Sequence, residues 1–440
     1  MSKVRSFEEI EQVMNLDDAK NECKRCKNCK EPNCVQHCPA NIDIPSFIKN
    51  IKKGNIDEAY KIIRSSNNMP FACSRLCPKE EMCEGACSQV LDHPIQIGKL
   101  ERFVSENGEF KQKNASKRSK KIAIVGSGPS GLSCAEDLAL MGYDVTVFEA
   151  LHSPGGILKY GIPNFRFPHT LIDSHTNKLS SLGIKFITNS VVGRLLSIPE
   201  LMKKFSAIYI STGSSLPTYM NIEGEHLQNI ITSNEFLYRI NVIEQHIFDP
   251  QNELFNPKKV IVVGGNDAAL DCARLAVRLG SEVTILYHKT FTDLKASQSN
   301  IIDARKEGIK FLMLSLPKKY VGDDKVESVE IIQMKTEQNE IGDSISTEIE
   351  GSEFIEKADL IILSLGSTAS PVVVNKANIN HNLRGNIFVD DNLMTSVDGI
   401  FSGGAVTGAN SVVESVTLGK KASKSIHDYL TKPKVEVENE

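Results

Sequence analysis

At 440 residues the chain has room for roughly two to four domains with full cores. Its 51 Lys and Arg against 55 Asp and Glu leave a net charge of −4, so no basic field is present to gather nucleic acid or an anionic membrane. No stretch approaches the roughly 18 apolar residues of a membrane span, and a cytoplasmic protein bound to neither membrane nor nucleic acid is expected.

Nine of the eleven cysteines fall between Cys23 and Cys87. Eight of them form two ordered groups, Cys26-x2-Cys29-x4-Cys34-x3-Cys38-Pro39 and Cys73-x3-Cys77-x5-Cys83-x3-Cys87. Thiolates this dense suit iron–sulfur clusters, in which each iron takes one thiolate. Zinc is the rival, because C-x2-C pairs also make knuckles. Zinc sites usually set two such pairs across a loop, whereas four cysteines within 26–38 fit a ferredoxin-like run. Disulfides would need an oxidising compartment, and MSKVRSFEEIEQ carries no apolar export segment. The fourth cysteine of such a run often serves the other cluster, so two clusters sharing ligands across the two groups are expected.

Short helical stretches such as IPSFIKNIKKGNIDEAYKII (44–63) surround the cysteines, and residues 1–115 are expected to form an α-helical domain. The segment KQKNASKRSKK (111–121), with six positive charges, reads as an exposed linker.

Two strand–glycine–helix units follow. The first, KIAIVGSGPSGLSCAEDLALMGYDVTVFEA, places Gly126, Gly128 and Gly131 in G-x-G-x-x-G between a strand and a helix. The first glycine permits the tight turn, the second lets the backbone approach a pyrophosphate, and the third lets helix and strand pack closely. Glu149 ends the second strand, where a carboxylate accepts from a ribose 2′-hydroxyl. Beyond it lie Gly155-Gly156 and the loop KYGIPNFRFP (159–168) with Arg166, which suits a segment crossing over a flavin.

The second unit, KVIVVGGNDAALDCARLAVRLGSEVTILYHK, keeps Gly264 and Gly265 but carries Asn266 in second place and Ala269 in third, ahead of Asp267 and its helix. An asparagine in second place is expected to crowd the phosphates. The strand ends in Tyr287-His288-Lys289 rather than an acid, and Lys289 with Lys295 would pair a 2′-phosphate, favouring NADP(H) over NAD(H). A scaffold without nucleotide is the alternative. Cys134 and Cys272 fall on apolar helix faces and read as core.

With IQIGKLERF (95–103), GYDVTVFEA, YGIPNFRFP, DAALDCARLAVRLG and GIFSGGAVTGANSVVESVTLGKKAS (399–423), these residues resemble one family from about Asn21 to Leu430. It is that of the flavin and iron–sulfur NAD(P)H oxidoreductases related to the glutamate synthase small subunit. The resemblance implies an α/β fold: an N-terminal α-helical iron–sulfur domain followed by two Rossmann-like dinucleotide-binding domains, the second inserted in the first. The expected division is 1–115 for two 4Fe–4S clusters, 116–235 with 370–432 for FAD, 236–369 for NAD(P)H, and a disordered tail at 433–440. FAD would contact Gly126, Gly128, Ser130, Gly131, Glu149, Gly156, Arg166, Gly213, Gly404 and Ala405. The nicotinamide nucleotide would contact Gly264, Gly265, Asn266, Asp267, His288, Lys289 and Lys295.

The resemblance also implies one cluster on Cys26, Cys29, Cys34 and Cys87, and another on Cys38, Cys77, Cys83 and the carboxylate of Glu101, leaving Cys23 and Cys73 spare. Spacing alone would have counted Cys73 as a ligand. Three departures from the family's pattern stand out: Ala405 where relatives carry an aspartate on the flavin ribityl chain, Asn266 where they carry a glycine, and His288 or its neighbour where they carry an arginine.

The implied activity passes electrons between NAD(P)H, FAD and two clusters, to or from an FMN-bearing or other redox partner subunit in a hetero-oligomer. No side-chain acid–base constellation is seen, and hydride transfer would be carried by the cofactors. The alternative is a relay subunit whose nicotinamide site has degenerated and turns over no NAD(P)H.

Overall fold

The computed structural model of the protein describes residues 6–89, 91–110, 115–243, 257–338, 344–374 and 377–432. Residues 111–114 of the expected linker and the expected tail at 433–440 lie outside the described residues. Contacts divide the chain into two units. One holds Glu11–Lys159, Arg166–Leu216 and Thr368–Glu440, and the other holds Met1–Ile10, Tyr160–Phe165 and Pro217–Ser367.

The cysteine-bearing unit opens with six helices: α1 (Leu16–Arg25), α2 (Asn33–Gln36), α3 (Ile44–Lys53), α4 (Ile56–Ser66), α5 (Pro70–Leu76) and α6 (Ile97–Asn107). Sequence periodicity runs on through 44–63, but Gly54 takes the left-handed conformation (φ 82°) and ends α3, so α4 starts afresh at Ile56. Ile44, Phe47, Ile48 and Ile51 share the buried face of α3, at the spacing of an amphipathic helix.

The same unit continues with β1 (Lys121–Val125), α7 (Pro129–Leu140), β2 (Asp144–Phe148), α8 (Ile157–Tyr160), α9 (His169–Ser181), β3 (Lys185–Ile187), α10 (Ile198–Met202), β4 (Ala207–Ile210) and β5 (Ser214–Pro217). Its parallel sheet runs β16–β4–β1–β2–β3, closed by β16 (Ile400–Ser402) from the far end of the chain. Ile122–Val125 and Ala207–Ile210 are buried throughout, because helices cover both faces of a parallel sheet. The last helix, α14 (Val412–Thr431), packs on α7. Gly419 sets that approach: a Cβ there would stand 2.3 Å from the Ser130 carbonyl oxygen.

The second unit contains β6 (Ile230–Thr232), α11 (Ser233–Ile243), β7 (Lys259–Val263), α12 (Asp267–Arg278), β8 (Glu282–Tyr287), α13 (Gln298–Lys306), β9 (Lys310–Met313), β10 (Ser315–Val321), β11 (Ser328–Gln338), β12 (Ser344–Glu348), β13 (Phe354–Lys357) and β14 (Leu360–Leu363). Its parallel sheet is β6–β14–β7–β8–β9, and β10, β11, β12 and β13 form an antiparallel layer. β15 (Ser367–Ala369) pairs with β5 as a ribbon. The sheet starts upstream of Lys258, because Ile230–Thr232 pairs in parallel with β14. Phe165 is 1% exposed in this unit's core, where the Arg278 guanidinium lies 3.8 Å over its ring. Cys134 and Cys272 are both fully buried, as their helix faces predict.

Candidate iron–sulfur and nucleotide sites

Cys26, Cys29, Cys34 and Cys87 line one cavity, with Pro32, Ile44, Ile48, Ile95 and Ile97 as its apolar wall. Cys26 caps the C-terminus of α1, Cys34 sits on α2, and Cys87 arrives from the loop before α6. Asn28 adopts φ 50°, the tight turn between Cys26 and Cys29 that directs both to that cavity. Burial raises the Cys34 thiol to about 11, and the nearby Cys87, Cys26 and Cys29 add to it. Burial likewise raises Cys26. Thiols held this way resist ionisation alone and gain most from a cationic partner.

A second set gathers around α6. Burial raises Cys38, Cys77 and Cys83, and all three feel the charge of Glu101. Cys77 caps α5, and the packing of α5 on α6 brings it toward Glu101. Burial lifts the Glu101 carboxyl to about 7, against the lowering effect of Lys79 and a hydrogen bond from Asn67. Cys73 is buried in the same neighbourhood, its Sγ 3.7 Å from Asn67 Oδ1, and burial raises its thiol well above the ordinary value. Cys23 is pushed up to about 12, first by burial and then by Cys26. All eleven cysteines are free. Among the described residues no three His, Cys, Asp or Glu side chains are close enough to hold a single metal ion. Four thiols around one cavity match the ligand number of an iron–sulfur cluster.

Two buried asparagines carry this module onto the first glycine unit. Asn67 donates to Glu101 Oε1 at 3.0 Å, and Asn68 donates to the Ser133 carbonyl at 3.1 Å and to Asp137 Oδ1 at 2.9 Å on α7. Lys420 Nζ from α14 reaches Asn68 Oδ1 at 2.7 Å. One turn along α7, Glu136 pairs with Arg64 of α4 at 2.5 Å, both buried. Sequence patterning gave no sign of these contacts, since an Asn pair and a helix Glu read as surface.

The first glycine turn fits a dinucleotide. Gly126 has φ 100°, and a Cβ there would lie 2.5 Å from the Ser211 carbonyl oxygen. At Gly131 a Cβ would lie 2.0 Å from the Gly126 carbonyl oxygen. A Cβ on Gly128 meets no protein atom within 4 Å. Gly128 is the N-cap of α7 and offers no side-chain cap, so the first N–H groups of that helix are open to an anion. Glu149 follows β2, where its Oε2 accepts from Ser127 N at 3.0 Å and also from the Ser127 hydroxyl, and its Oε1 accepts from Leu151 N at 2.8 Å. Ser127 Oγ also accepts from Gly155 N at 3.1 Å, and Gly156, at φ 54°, would put a Cβ 2.7 Å from Gly128 Cα. Ser127 therefore ties the turn, the acid and the Gly155-Gly156 loop together, a role that the motif's variable position conceals.

Ser130 is buried, its hydroxyl 2.6 Å from that of Tyr209. Gly213 follows β4 with φ 71° and open space at its Cβ position. Gly404 has φ 85° and lies against Ser130, where a Cβ would approach the Ser130 Cβ to 2.9 Å. Ala405 presents a carbonyl that accepts from Ser214 Oγ at 3.0 Å, with no carboxylate at that position. Arg166 is half-buried, and Lys159, at the start of the 159–168 loop, holds Asp173 at 2.6 Å.

The second turn is built differently. Gly264 repeats Gly126, its Cβ position 2.3 Å from the Ser364 carbonyl oxygen, and Gly265 lies against the Tyr287 ring. Asn266 stands where Gly128 stands in the first unit, as the N-cap of α12. Its Oδ1 accepts from Ala269 N at 2.9 Å and from Ser364 Oγ at 2.8 Å, while its Nδ2 donates to the Ser364 carbonyl at 3.2 Å. Asn266 is also a helix cap: its side chain occupies an N–H that Gly128 leaves open in α7. Asp267 accepts from Ser297 Oγ at 3.0 Å and Asn300 Nδ2 at 2.9 Å.

By strand register Tyr287 takes the place of Glu149, and its hydroxyl donates to the Asp293 carbonyl at 3.0 Å. His288 is half-buried, and burial, with Lys289 and Lys295 nearby, lowers its pKa. Those two lysines and His288 therefore gather beyond the carboxyl end of β8, accompanied by Asp293.

A family profile described as dihydropyrimidine dehydrogenase domain II, 4Fe-4S cluster, matches residues 3–113. A second, pyridine nucleotide-disulphide oxidoreductase, matches 85–197 and 120–425. The glutamate synthase (NADPH) small chain of Azospirillum brasilense is 32% identical over 442 residues, covering 97% of this chain and 92% of that protein. The chain belongs to the glutamate synthase small-chain family. Another member-like relative is the NADP(+)-dependent formate dehydrogenase subunit beta of Moorella thermoacetica, 32% identical, covering 92% of this chain and 61% of that protein. Among solved structures, FprA of Mycobacterium tuberculosis in complex with NADPH shares the fold, with a TM-score of 0.57, 17% identity and coverage of 71% of this chain and 85% of that one. Family membership establishes a flavin and iron–sulfur oxidoreductase of the electron-transfer kind, with an N-terminal 4Fe–4S domain ahead of Rossmann-like folds. Among the described residues no helix is long and apolar enough to cross a membrane.

Proposed function

We propose that this chain takes electrons from NADPH and passes them to a redox partner subunit through FAD and two 4Fe–4S clusters. When bound, FAD and the clusters supply the exchange between two-electron and one-electron chemistry. The observation that carries the reading is the gathering of Cys26, Cys29, Cys34 and Cys87 on one cavity, within the same compact unit as the open Gly128 turn.

In this reading Gly126, Gly128 and Gly131 present the α7 N-terminus to the FAD pyrophosphate and Glu149 orients its ribose. Ser130, Gly156, Arg166, Gly213, Gly404 and Ala405 complete the FAD cradle. Cys26, Cys29, Cys34 and Cys87 hold one cluster, and Cys38, Cys77, Cys83 and Glu101 hold the other. Residues 1–115 form the cluster domain, 116–235 with 370–432 the FAD domain and 236–369 the nucleotide domain, except that Pro217–Thr232 go with the nucleotide domain, whose sheet β6 joins. Gly264, Gly265, Asn266, Asp267 and His288 receive the nicotinamide nucleotide, and Lys289 with Lys295 pairs its 2′-phosphate. Free thiols throughout suit a reducing, cytoplasmic compartment. The partner is an FMN-bearing or other redox subunit, as in a glutamate synthase-like, dihydropyrimidine dehydrogenase-like or bifurcating complex.

The test is an anaerobic titration of cluster-loaded protein with NADPH and then NADH, following flavin and cluster absorbance. Bleaching at near-stoichiometric NADPH is expected. Bleaching by dithionite but by neither nucleotide would favour the second reading, an internal relay, for which the Asn266 cap is the supporting observation.

A further inference from the structure

The cavity lined by Cys26, Cys29 and Cys34 lies where those three residues are only partly buried, so a group held there would stand near the surface. The chain around it is strongly basic. Residues 20–53 carry eight Lys and Arg against three Asp and Glu, in a protein whose net charge is −4. Lys27 lines the cavity itself, and Lys30 lies between the lining residues Cys29 and Glu31. On α3, Lys49 follows the lining residue Ile48, and Lys52 stands one turn further, close enough for its charge to reach Cys26.

Lys24, Lys27, Lys30, Lys49, Lys52 and Lys53 are all exposed, and among the described residues none makes an ion pair. The acids of the stretch do not neutralise them: Glu22 is buried against Arg25, and Asp43 caps the N-terminus of α3. Glu31 alone faces the lysines at the cavity. A solvated face elsewhere on the protein looks different. On the second unit, Lys310, Lys318 and Lys319 each meet a glutamate. Unpaired lysines concentrated at one spot raise the local concentration and the association rate of an oppositely charged macromolecule by roughly 10- to 1,000-fold.

We propose that this lysine-rimmed face is the docking surface for an acidic electron-transfer protein, which meets the chain over Cys26, Cys29 and Cys34. The inference rests on the cluster reading above and adds to it the place and charge of the partner. Its occupant is an acidic redox domain, steered by complementarity and brought within electron-transfer distance of the most exposed thiols.

A competing role for the same lysines is to offset the negative charge of the cluster itself. That role predicts a change in cluster potential and no effect on encounter. The two are separable, because encounter is screened by salt whereas a bound cluster's potential responds to it far less.

The experiment mixes cluster-loaded protein anaerobically with a reduced acidic 2Fe–2S ferredoxin as probe donor, in stopped flow. Salt is raised from about 20 mM to about 0.5 M, over which the screening length falls from roughly 20 Å to roughly 4 Å. The second-order rate of flavin and cluster bleaching is expected to fall at least about tenfold. The triple variant K27E/K30E/K52E should be slower than the parent by about the same factor at low salt and lose the salt dependence. Its iron and flavin content should stay at the parent values, and its midpoint potentials, followed by EPR-monitored titration, should shift too little to account for the lost rate. A salt-independent parent rate, or a triple variant reacting at the parent rate, overturns the proposal. A shifted potential with an unchanged salt slope also overturns it and assigns the lysines to the cluster's charge. Protein without iron or acid-labile sulfide after reconstitution removes the cluster reading itself, an outcome distinct from the other two.

Discussion

The two glycine turns share one backbone plan and divide at a single residue. Gly126 and Gly264 both press against the carbonyl of the serine that directly follows the neighbouring strand, Ser211 after β4 and Ser364 after β14. At the helix N-cap, Gly128 leaves the α7 N–H groups open, whereas Asn266 satisfies one of those of α12 from within the protein. The same helices diverge again two turns later. Glu136 on α7 is paired by Arg64 from the cysteine module, while the corresponding residue of α12 is Arg274, paired by Glu307. A common fold thus sets where a ligand and a buried charge can stand, and single side chains decide whether the protein or something else completes them.

The sharpest way to break the comparison is at the first turn. Gly128→Ala adds a methyl into empty space at an ordinary backbone angle (φ −71°), so the apoprotein should keep its melting temperature. FAD retention after gel filtration should nonetheless drop by about tenfold or more, since the pyrophosphate needs that space. Gly126→Ala, at φ 100° and 2.5 Å from a carbonyl oxygen, should destabilise the fold itself. Equal FAD content in Gly128→Ala and the parent would remove FAD from this turn.

The buried charges come next. Arg64→Ala leaves Glu136 buried beside His175, at 3.9 Å, with the charge of Lys178 as its remaining support, and should cost about 3–5 kcal/mol in denaturant unfolding. Arg274→Ala should cost less, about 2 kcal/mol, because Arg278 still holds Glu307 at 2.8 Å. Equal losses would show that Glu136 and Glu307 are equally well supported.

Acid should remove the stability that a neutral His175 contributes to the first unit, read as the difference between parent and His175→Phe because the raised Glu101 carboxyl acts in the opposite sense over the same range. His175 is buried against Phe71, facing Glu136, Arg64 and Lys178, and burial lowers its pKa to about 4. The unfolded chain takes up that proton near its ordinary value while the folded chain refuses it until about pH 4, so stability is lost as pH falls from about 6.5 toward 4. The loss should be on the order of 3 kcal/mol across that window, and His175→Phe should abolish it. A parent and variant with parallel melting curves from pH 7 to pH 4 would place the acid sensitivity elsewhere.

The smallest effect belongs to the second cap. Asn266→Ala should cost about 1 kcal/mol of stability, and Asn266→Gly only a few tenths. If a nucleotide phosphate uses the freed N–H of Ala269, Asn266→Gly should lower the Kd for NADPH about threefold by fluorescence titration, a change of under 1 kcal/mol. An unchanged Kd would show that the phosphate does not use this N–H.

Much of the fold was legible locally. Parallel strands appear as the apolar runs Ile122–Val125 and Val260–Val263, and glycine turns as positions where a side chain would collide with a carbonyl. The candidate site was legible only as an inventory. Spacing marks Cys73 and Cys87 alike, yet the structure sets Cys87 on the cavity of Cys26, Cys29 and Cys34 and buries Cys73 beside Asn67 and Glu101. Asn266 read only as a residue that crowds a phosphate, and its hydrogen bonds to Ala269 and Ser364 add a capping role that the motif does not report.

By itself, then, the sequence determined the chemistry available: thiols at cluster spacing, a dinucleotide turn, a second turn with altered residues, and a lysine-rich stretch at 20–53. Periodicity and turn chemistry act over a few residues, so they are written in neighbours along the chain. Only the tertiary structure decided which thiols share a cavity, that Asn67 and Asn68 join Glu101 to α7, and that Glu136 meets Arg64 across 72 positions. Those contacts depend on how helices pack, and packing joins residues that no local pattern relates.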